Sequence, residues 1–180
     1  MFKKIFTVLL SCCFLCCSVL INSGYIILAA DPFLDYGVSS ANVSVKFASG
    51  INSTWTTRLN NSIAAWNATD TPVTIAKSSS SSNTVYADYY SDTWYGLKSS
   101  IVSNNILTSF TIKINSRTIT NDATNVSNFA QSTTVHEFGH VFWLCDNPNT
   151  TQSTIMSYSR DRNTMITPQQ FDIDNVNEKF

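Results

Sequence analysis

Both histidines of this 180-residue chain fall within five residues, His136-Glu137-Phe138-Gly139-His140, and no other feature constrains the fold as much. At about 3.6 residues per turn, positions four apart on an α-helix stand one above the other on a single face. His136 and His140 can then offer two imidazole nitrogens to one metal ion. Glu137 sits at the rim of the same face, placed to take a proton from a water held by that ion. The alternative, two surface histidines on a polar helix, leaves the features downstream of the motif without a common explanation.

Two imidazoles do not complete a site, so the chain beyond the helix must deliver a third donor. A straight helix would carry Asp146, six residues past His140, roughly 9 Å further along the axis and out of reach. The chain must therefore turn. Pro148 is the residue expected to impose the turn, because proline cannot continue a helix and pushes Asn147 before it out of helical conformation. With no third histidine in the chain, Asp146 is the natural remaining ligand, which leaves an open position for water. Such nitrogen and oxygen donors suit catalytic zinc, whereas structural zinc usually closes its fourth position with cysteine. Cys145, next door, is the competing donor, and a sulfur-bound site would be closer to structural.

The rest of the chain bounds where such a site would operate. Lys3 and Lys4 precede an uncharged stretch from Ile5 to Ala30, apolar through Ile5 to Ile21 and again at Tyr25 to Leu28. Ala29 and Ala30 before Asp31 suit cleavage, so residues 1–30 read as an export signal and residues 31–180 as one domain. The stretch is long for a signal. An uncleaved membrane anchor, or lipidation at Cys12 after Leu9-Leu10-Ser11, remains an alternative. Cys12, Cys13, Cys16 and Cys17 all lie in this segment, leaving Cys145 alone in the mature chain and excluding an internal disulfide framework. Without Lys3 and Lys4 the eleven basic residues fall to nine against twelve acidic ones, a net charge of −3 with no basic run. That balance disfavours nucleic acid as a partner.

Periodicity within residues 31–180 predicts a mixed domain. Val43 to Phe47 alternates as a strand, and Trp55, Leu59, Ile63 and Trp66 recur at helical spacing, predicting a helix over Thr54–Asn67 whose aromatic face packs the core. Val73 to Ala76 and Thr84 to Tyr90 read as strands separated by a flexible Ser78–Ser82 connection. The aromatic run Tyr86, Tyr89, Tyr90, Trp94 and Tyr95 suits cross-strand packing or the wall of a cleft. Phe110, Ile112 and Ile114 mark a further strand, and Asn128 is placed to cap the long helix that carries the histidines. This order implies an α+β, or mixed α/β, domain with its sheet on one side of the metal helix.

The stretch His136-Glu137-Phe138-Gly139-His140-Val141-Phe142-Trp143-Leu144-Cys145-Asp146 resembles the metzincin zinc peptidases, whose motif is HExxHxxGxxH or HExxHxxGxxD. The aspartate form looks like that of the small bacterial snapalysin-type enzymes. Ser153-Thr154-Ile155-Met156-Ser157-Tyr158 is similar to the family's methionine turn. Thr167-Pro168-Gln169-Gln170 fits the start of its C-terminal helix, with a cap, a first-turn proline and a capping-box glutamine. The likeness runs through residues 31–180 in element order, is strongest over 128–180, and reads most like a short matrixin-type domain.

The resemblance implies a zincin-like fold, a twisted, mostly parallel sheet with an active-site helix and a C-terminal helix. It also implies one catalytic zinc on His136, His140 and Asp146, with Glu137 as general base. Met156 would be an apolar floor beneath the metal and Tyr158 a hydrogen-bond donor to the oxyanion; the bland alternative for Tyr158 is a half-buried aromatic at a turn. The expected partner is a protein or peptide substrate, laid along an edge strand near Thr93 to Leu97 and met by a secreted monomer. A membrane enters only if the N-terminal segment is retained or lipidated, and a structural calcium ion is allowed but supported by no residue pattern. One position departs from the family: Trp143 stands where it has glycine. That glycine leaves the helix at positive φ, which costs a bulky residue about 1–2 kcal/mol. Either the bend shifts toward Cys145, or the third ligand is displaced and catalysis weakened, which would leave a secreted zinc-binding or adhesion module.

Overall fold

A computed structural model describes residues 31–180; the export signal, anchor and lipidation readings of residues 1–30 lie outside the described residues. The elements run β1 (Asn42–Phe47), α1 (Ser53–Asn67), β2 (Thr74–Lys77), β3 (Thr84–Asp88), β4 (Gly96–Ser103), β5 (Ile106–Asn115), α2 (Ser116–Asp122), α3 (Val126–Val141) and α4 (Gln170–Lys179). The domain is mixed α+β, as the alternation of periods predicts.

Five strands form one sheet in the order β2-β1-β3-β5-β4, parallel throughout except for the antiparallel edge strand β4. Val43 and Val45 of β1, Val85 of β3 and Leu107, Phe110, Ile112 and Ile114 of β5 send their side chains into the core. The β4–β5 hairpin turns at Asn104-Asn105, both at positive φ (49° and 62°). Asparagine tolerates that conformation better than most residues, and two such residues match the twist of a two-residue hairpin. The Asn-Asn pair between two apolar runs was the signal for β4, which the sequence reading placed only as an edge near Thr93–Leu97. The strand begins instead at Gly96.

Helix α1 is capped by Asn52, whose side chain accepts the Trp55 N–H at 3.0 Å. Its Leu59, Ile63 and Trp66 are buried as their spacing predicts, while Trp55 is only partly buried beneath the Arg58 guanidinium. The Trp66 indole donates to the Val135 carbonyl of α3 at 2.9 Å and meets Phe142 edge-on at 5.3 Å, locking α1 onto the helix that bears the histidines. Helix α3 is buried on nearly every side from Phe129 to Val141. A helix enclosed all round shows no polar stripe, so the motif rather than amphipathicity announces it.

Two helix starts differ from expectation. The α3 cap is Asn125, whose side chain accepts the Asn128 N–H at 3.0 Å, so Asn128 is the served residue and the helix begins earlier. At α4 the cap is Gln169, whose N–H donates to Asp172 Oδ2 at 2.8 Å, and Pro168 precedes the cap instead of opening the first turn. In both cases a second polar residue at capping spacing was the true partner.

Candidate metal centre

Burial and backbone carbonyls fix the two histidines. His136 Nδ1 lies 3.0 Å from the Ile155 carbonyl and His140 Nδ1 lies 2.8 Å from the Leu144 carbonyl. A carbonyl only accepts, so each Nδ1 carries the proton that it donates, and in the neutral ring each Nε2 is left with a lone pair facing the site. Asp146 Oδ1 sits 3.0 Å from His136 Nε2 and 3.4 Å from His140 Nε2. Among the described residues these three form a group able to hold a metal ion, with Asp146 as the expected third ligand; Cys145 is not part of it. The Cys145 thiol turns away and donates to the Asp31 carbonyl at 3.3 Å.

The donor set fits zinc on chemistry and on spacing. A tetrahedral ion with bonds of about 2.0–2.1 Å holds its donors about 3.3 Å apart, close to the separations of Asp146 from the two imidazoles. Burial holds His136 down to about 4, against the pull of Asp146, so its ring is neutral near pH 7. A neutral nitrogen lone pair then faces a carboxylate oxygen, an arrangement that calls for a cation between them. At His140 burial opposes the charge, but Asp146 and Glu137 outweigh it and raise its pKa. Burial would likewise raise Asp146, yet the two imidazoles hold it far below the usual carboxylate range.

The turn that delivers Asp146 is made by Trp143. Helix α3 ends at Val141, and Trp143 adopts φ 74°, the left-handed conformation. The Leu144 N–H then reaches back to the Gly139 carbonyl at 3.0 Å. The bend therefore has not shifted toward Cys145, and Pro148 lies too far downstream to be its cause. Residues 31–38 hold the strained turn as a strap. The Trp143 indole donates to the Val38 carbonyl at 2.9 Å, its carbonyl accepts the Leu34 N–H at 2.6 Å, and the Cys145 N–H donates to the Pro32 carbonyl at 2.8 Å.

Met156 lies buried against Gly139, where a Cβ would run into its sulfur, so a larger residue there would have to displace the methionine. The methionine segment also orients the site, since Ile155 supplies the carbonyl for His136 and the Met156 carbonyl accepts the Asn147 N–H at 3.0 Å, next to Asp146. Asp172, buried in α4, fastens this segment. Its carboxylate accepts from the Thr154 hydroxyl, from the Ile155 N–H at 2.8 Å and from the Gln169 N–H at 2.8 Å.

Glu137 and Tyr158 face a cleft of about 650 Å³ that also exposes both histidines and Asp146. Glu137 is buried, which pushes its carboxyl up to about 7. Gly96 at the start of β4 makes room for it, because a Cβ there would overlap Glu137 Oε1. Tyr158 remains half exposed, its ring 6.1 Å from that of His136 and its N–H donating to Asn147 Oδ1 at 2.6 Å. Partial burial, and then the pull of the nearby Asp146 carboxylate on its proton, push the phenol up to about 12.

No family model and no curated protein matches the chain by sequence. The fold is similar to that of a chain in the GM1-bound form of the ECX AB5 holotoxin, with a TM-score of 0.52 and 15% identity over 84% of this chain and 85% of that one. A second solved structure is high choriolytic enzyme 1, a hatching enzyme zinc-protease from the medaka fish Oryzias latipes. Its TM-score is 0.49, with 11% identity over 81% of this chain and 92% of that one. The holotoxin likeness is one of fold.

Three cations of the cleft wall escaped the sequence reading. Lys98 on β4 donates to the His140 carbonyl at 3.0 Å, its ammonium over the Tyr36 ring, and burial lowers it to about 8. Arg160 and Arg162 follow the methionine segment. The run Ser157-Tyr158-Ser159-Arg160-Asp161-Arg162 gave no sign of which charge turns inward.

Proposed function

We propose that this chain is an exported zinc-dependent endopeptidase of the metzincin type, closest in plan to a short matrixin or snapalysin-like domain. The observation that carries this reading is the convergence of His136 Nε2, His140 Nε2 and Asp146 Oδ1 beside Glu137 at the floor of an open cleft. His136 Nε2, His140 Nε2 and Asp146 Oδ1 would hold the zinc, which would supply a Lewis acid for the scissile carbonyl and lower the pKa of a water toward neutrality.

The chain's own residues do the rest. Glu137 takes the proton of the attacking water and returns it to the leaving nitrogen, a role for which a carboxyl raised toward neutrality is suited. Tyr158, protonated across the working range, donates to the oxyanion that forms. Among the described residues strand β4 pairs with β5 alone, so its outer edge can accept an extended peptide along the cleft. The adhesion-module alternative drew on a displaced ligand at Trp143; the left-handed turn there, with Asp146 beside both histidines, supports the peptidase reading instead.

The test is zinc content of the purified domain alongside hydrolysis of a broad peptide library with and without chelator. One zinc per chain with chelator-sensitive cleavage is the expected result. Bound zinc without cleavage of any peptide would sink the peptidase reading in favour of a binding module.

A further inference from the structure

Arg160 is buried in the wall of the cleft, yet among the described residues no carboxylate lies within 4.0 Å of its guanidinium. Its contacts are neutral oxygens: Nε to Ser132 Oγ at 3.1 Å, one terminal nitrogen to the Ser157 carbonyl at 2.8 Å, and the other to the Ser132 carbonyl at 3.5 Å. A guanidinium has five N–H groups, so two remain uncommitted. The carboxylates of Glu137, Asp146 and Asp172 act on this charge only from beyond contact distance, so burial leaves it with hydrogen-bonding capacity that an arriving anion would use. Ser132 lies four residues, about 6 Å along the axis, before His136 on α3, so the guanidinium bonded to it is anchored one turn from that histidine.

Arg162 lines the same cleft, half-buried, donating to the Tyr158 carbonyl at 3.1 Å with its guanidinium 5.3 Å from the Tyr95 ring centroid. Lys98 adds a third positive charge. A doubly charged ion would be balanced by Glu137 and Asp146 together, so the three cations leave the cleft positive although residues 31–180 carry a net charge of −3.

We propose that Arg160, supported by Arg162, forms a carboxylate-binding subsite that selects substrates with an acidic group beside the scissile bond. This rests on the peptidase reading for its biological sense, but the subsite itself requires only a bound carboxylate. The carboxylate comes from an Asp or Glu side chain, which fits internal cleavage, or from a peptide's C-terminus, which would make the cut terminal, and either pairs with the two free N–H groups as a fork.

The experiment uses zinc-loaded Glu137→Gln protein and fluorescein-labelled octapeptides that carry Glu or Gln at one position, each with a free or amidated C-terminus. Binding is read by fluorescence anisotropy at two salt concentrations, and the same peptides without label are offered to the active protein. A charged fork is worth about tenfold or more in affinity. The expected result is that Glu peptides, or free C-termini, bind about tenfold tighter than their neutral counterparts, that salt weakens this, and that Arg160→Met brings the ratio to about one. Arg162→Gln, at a less buried position, should reduce the ratio in part and serves if Arg160→Met fails to fold. Acid preference in binding without any cleavage upholds the subsite and overturns the peptidase reading. Cleavage with equal binding of acidic and neutral peptides overturns the subsite and leaves the peptidase standing.

Discussion

The indole of Trp143 covers Gly37 so closely that a Cβ on the glycine would overlap three ring atoms. This contact joins the strap ahead of β1 to the turn that delivers Asp146, and it explains how a tryptophan occupies a left-handed position. The conformation costs about 1 kcal/mol, which the indole hydrogen bond to Val38 and its packing offset. Gly37→Ala should therefore lower stability by about 2 kcal/mol through overpacking and loosen zinc binding, although Gly37 lies far from the metal ligands in sequence. Trp143→Ala should be about 1 kcal/mol less stable than Trp143→Gly, because both lose the indole but only glycine tolerates φ 74° freely. Urea denaturation of the three variants decides; equal stability of the Ala and Gly forms would remove strain from the account.

Asp146 and Glu137 both lie beside the histidines but should fail differently. Asp146→Ala removes a ligand atom and should weaken zinc by more than the about 10–100-fold typical of losing an outer hydrogen-bond partner, with activity lost in parallel. Glu137→Gln should retain one zinc per chain and lose turnover by at least about a hundredfold. Zinc titration with a competing chromophoric chelator, paired with peptide hydrolysis, separates the two. A Glu137→Gln protein that cleaves at the wild-type rate would reassign the proton transfer.

The His136–His140 spacing, the reach of Asp146 and the alternation of Val43 and Val45 could all be read from sequence, because each follows from a local period or a short chain distance. The position of the bend could not. Nothing local favours positive φ at Trp143; the reason lies in Leu34, Gly37 and Val38, more than a hundred residues away. Arg160 was hidden for the same cause, since its burial depends on Ser132 of α3 and its own segment looks like an exposed polar loop. The hairpin at Asn104-Asn105 was legible in principle and missed in practice, because β4 exposes Leu97, Ile101 and Val102 as an edge strand and so lacks clean alternation.

Asp172 links α4 to the candidate metal centre without touching it. Its carboxylate accepts from the Thr154 hydroxyl and the Ile155 N–H of the methionine segment and from the Gln169 N–H of its own helix cap, and the Ile155 carbonyl in turn holds His136. Asp172→Asn turns one acceptor into an amide facing a donor, so it should destabilise the fold by about 2–4 kcal/mol and weaken zinc, whereas Asp174→Asn on exposed α4 should do neither. Melting temperature and zinc affinity should fall together. A stability loss with unchanged zinc affinity would mean that the methionine segment holds its place without α4.

Metal-free protein should show the cost of burying Glu137 as a pH dependence. Its carboxyl titrates near 4.5 when exposed and is raised to about 7 in the fold. A raised folded value means that the folded state binds the extra proton, so the associated stability is full below pH 4.5 and is lost as pH rises through about 7. Glutamine has no such proton. Metal-free wild type should therefore lose up to about 3 kcal/mol relative to Glu137→Gln between pH 4.5 and 8, with His136, His140 and Asp146 common to both proteins. Guanidinium denaturation of the pair at the two pH values gives the difference directly. Parallel pH profiles for the two proteins would mean that water reaches this carboxyl in the metal-free state and that its raised value does not survive there.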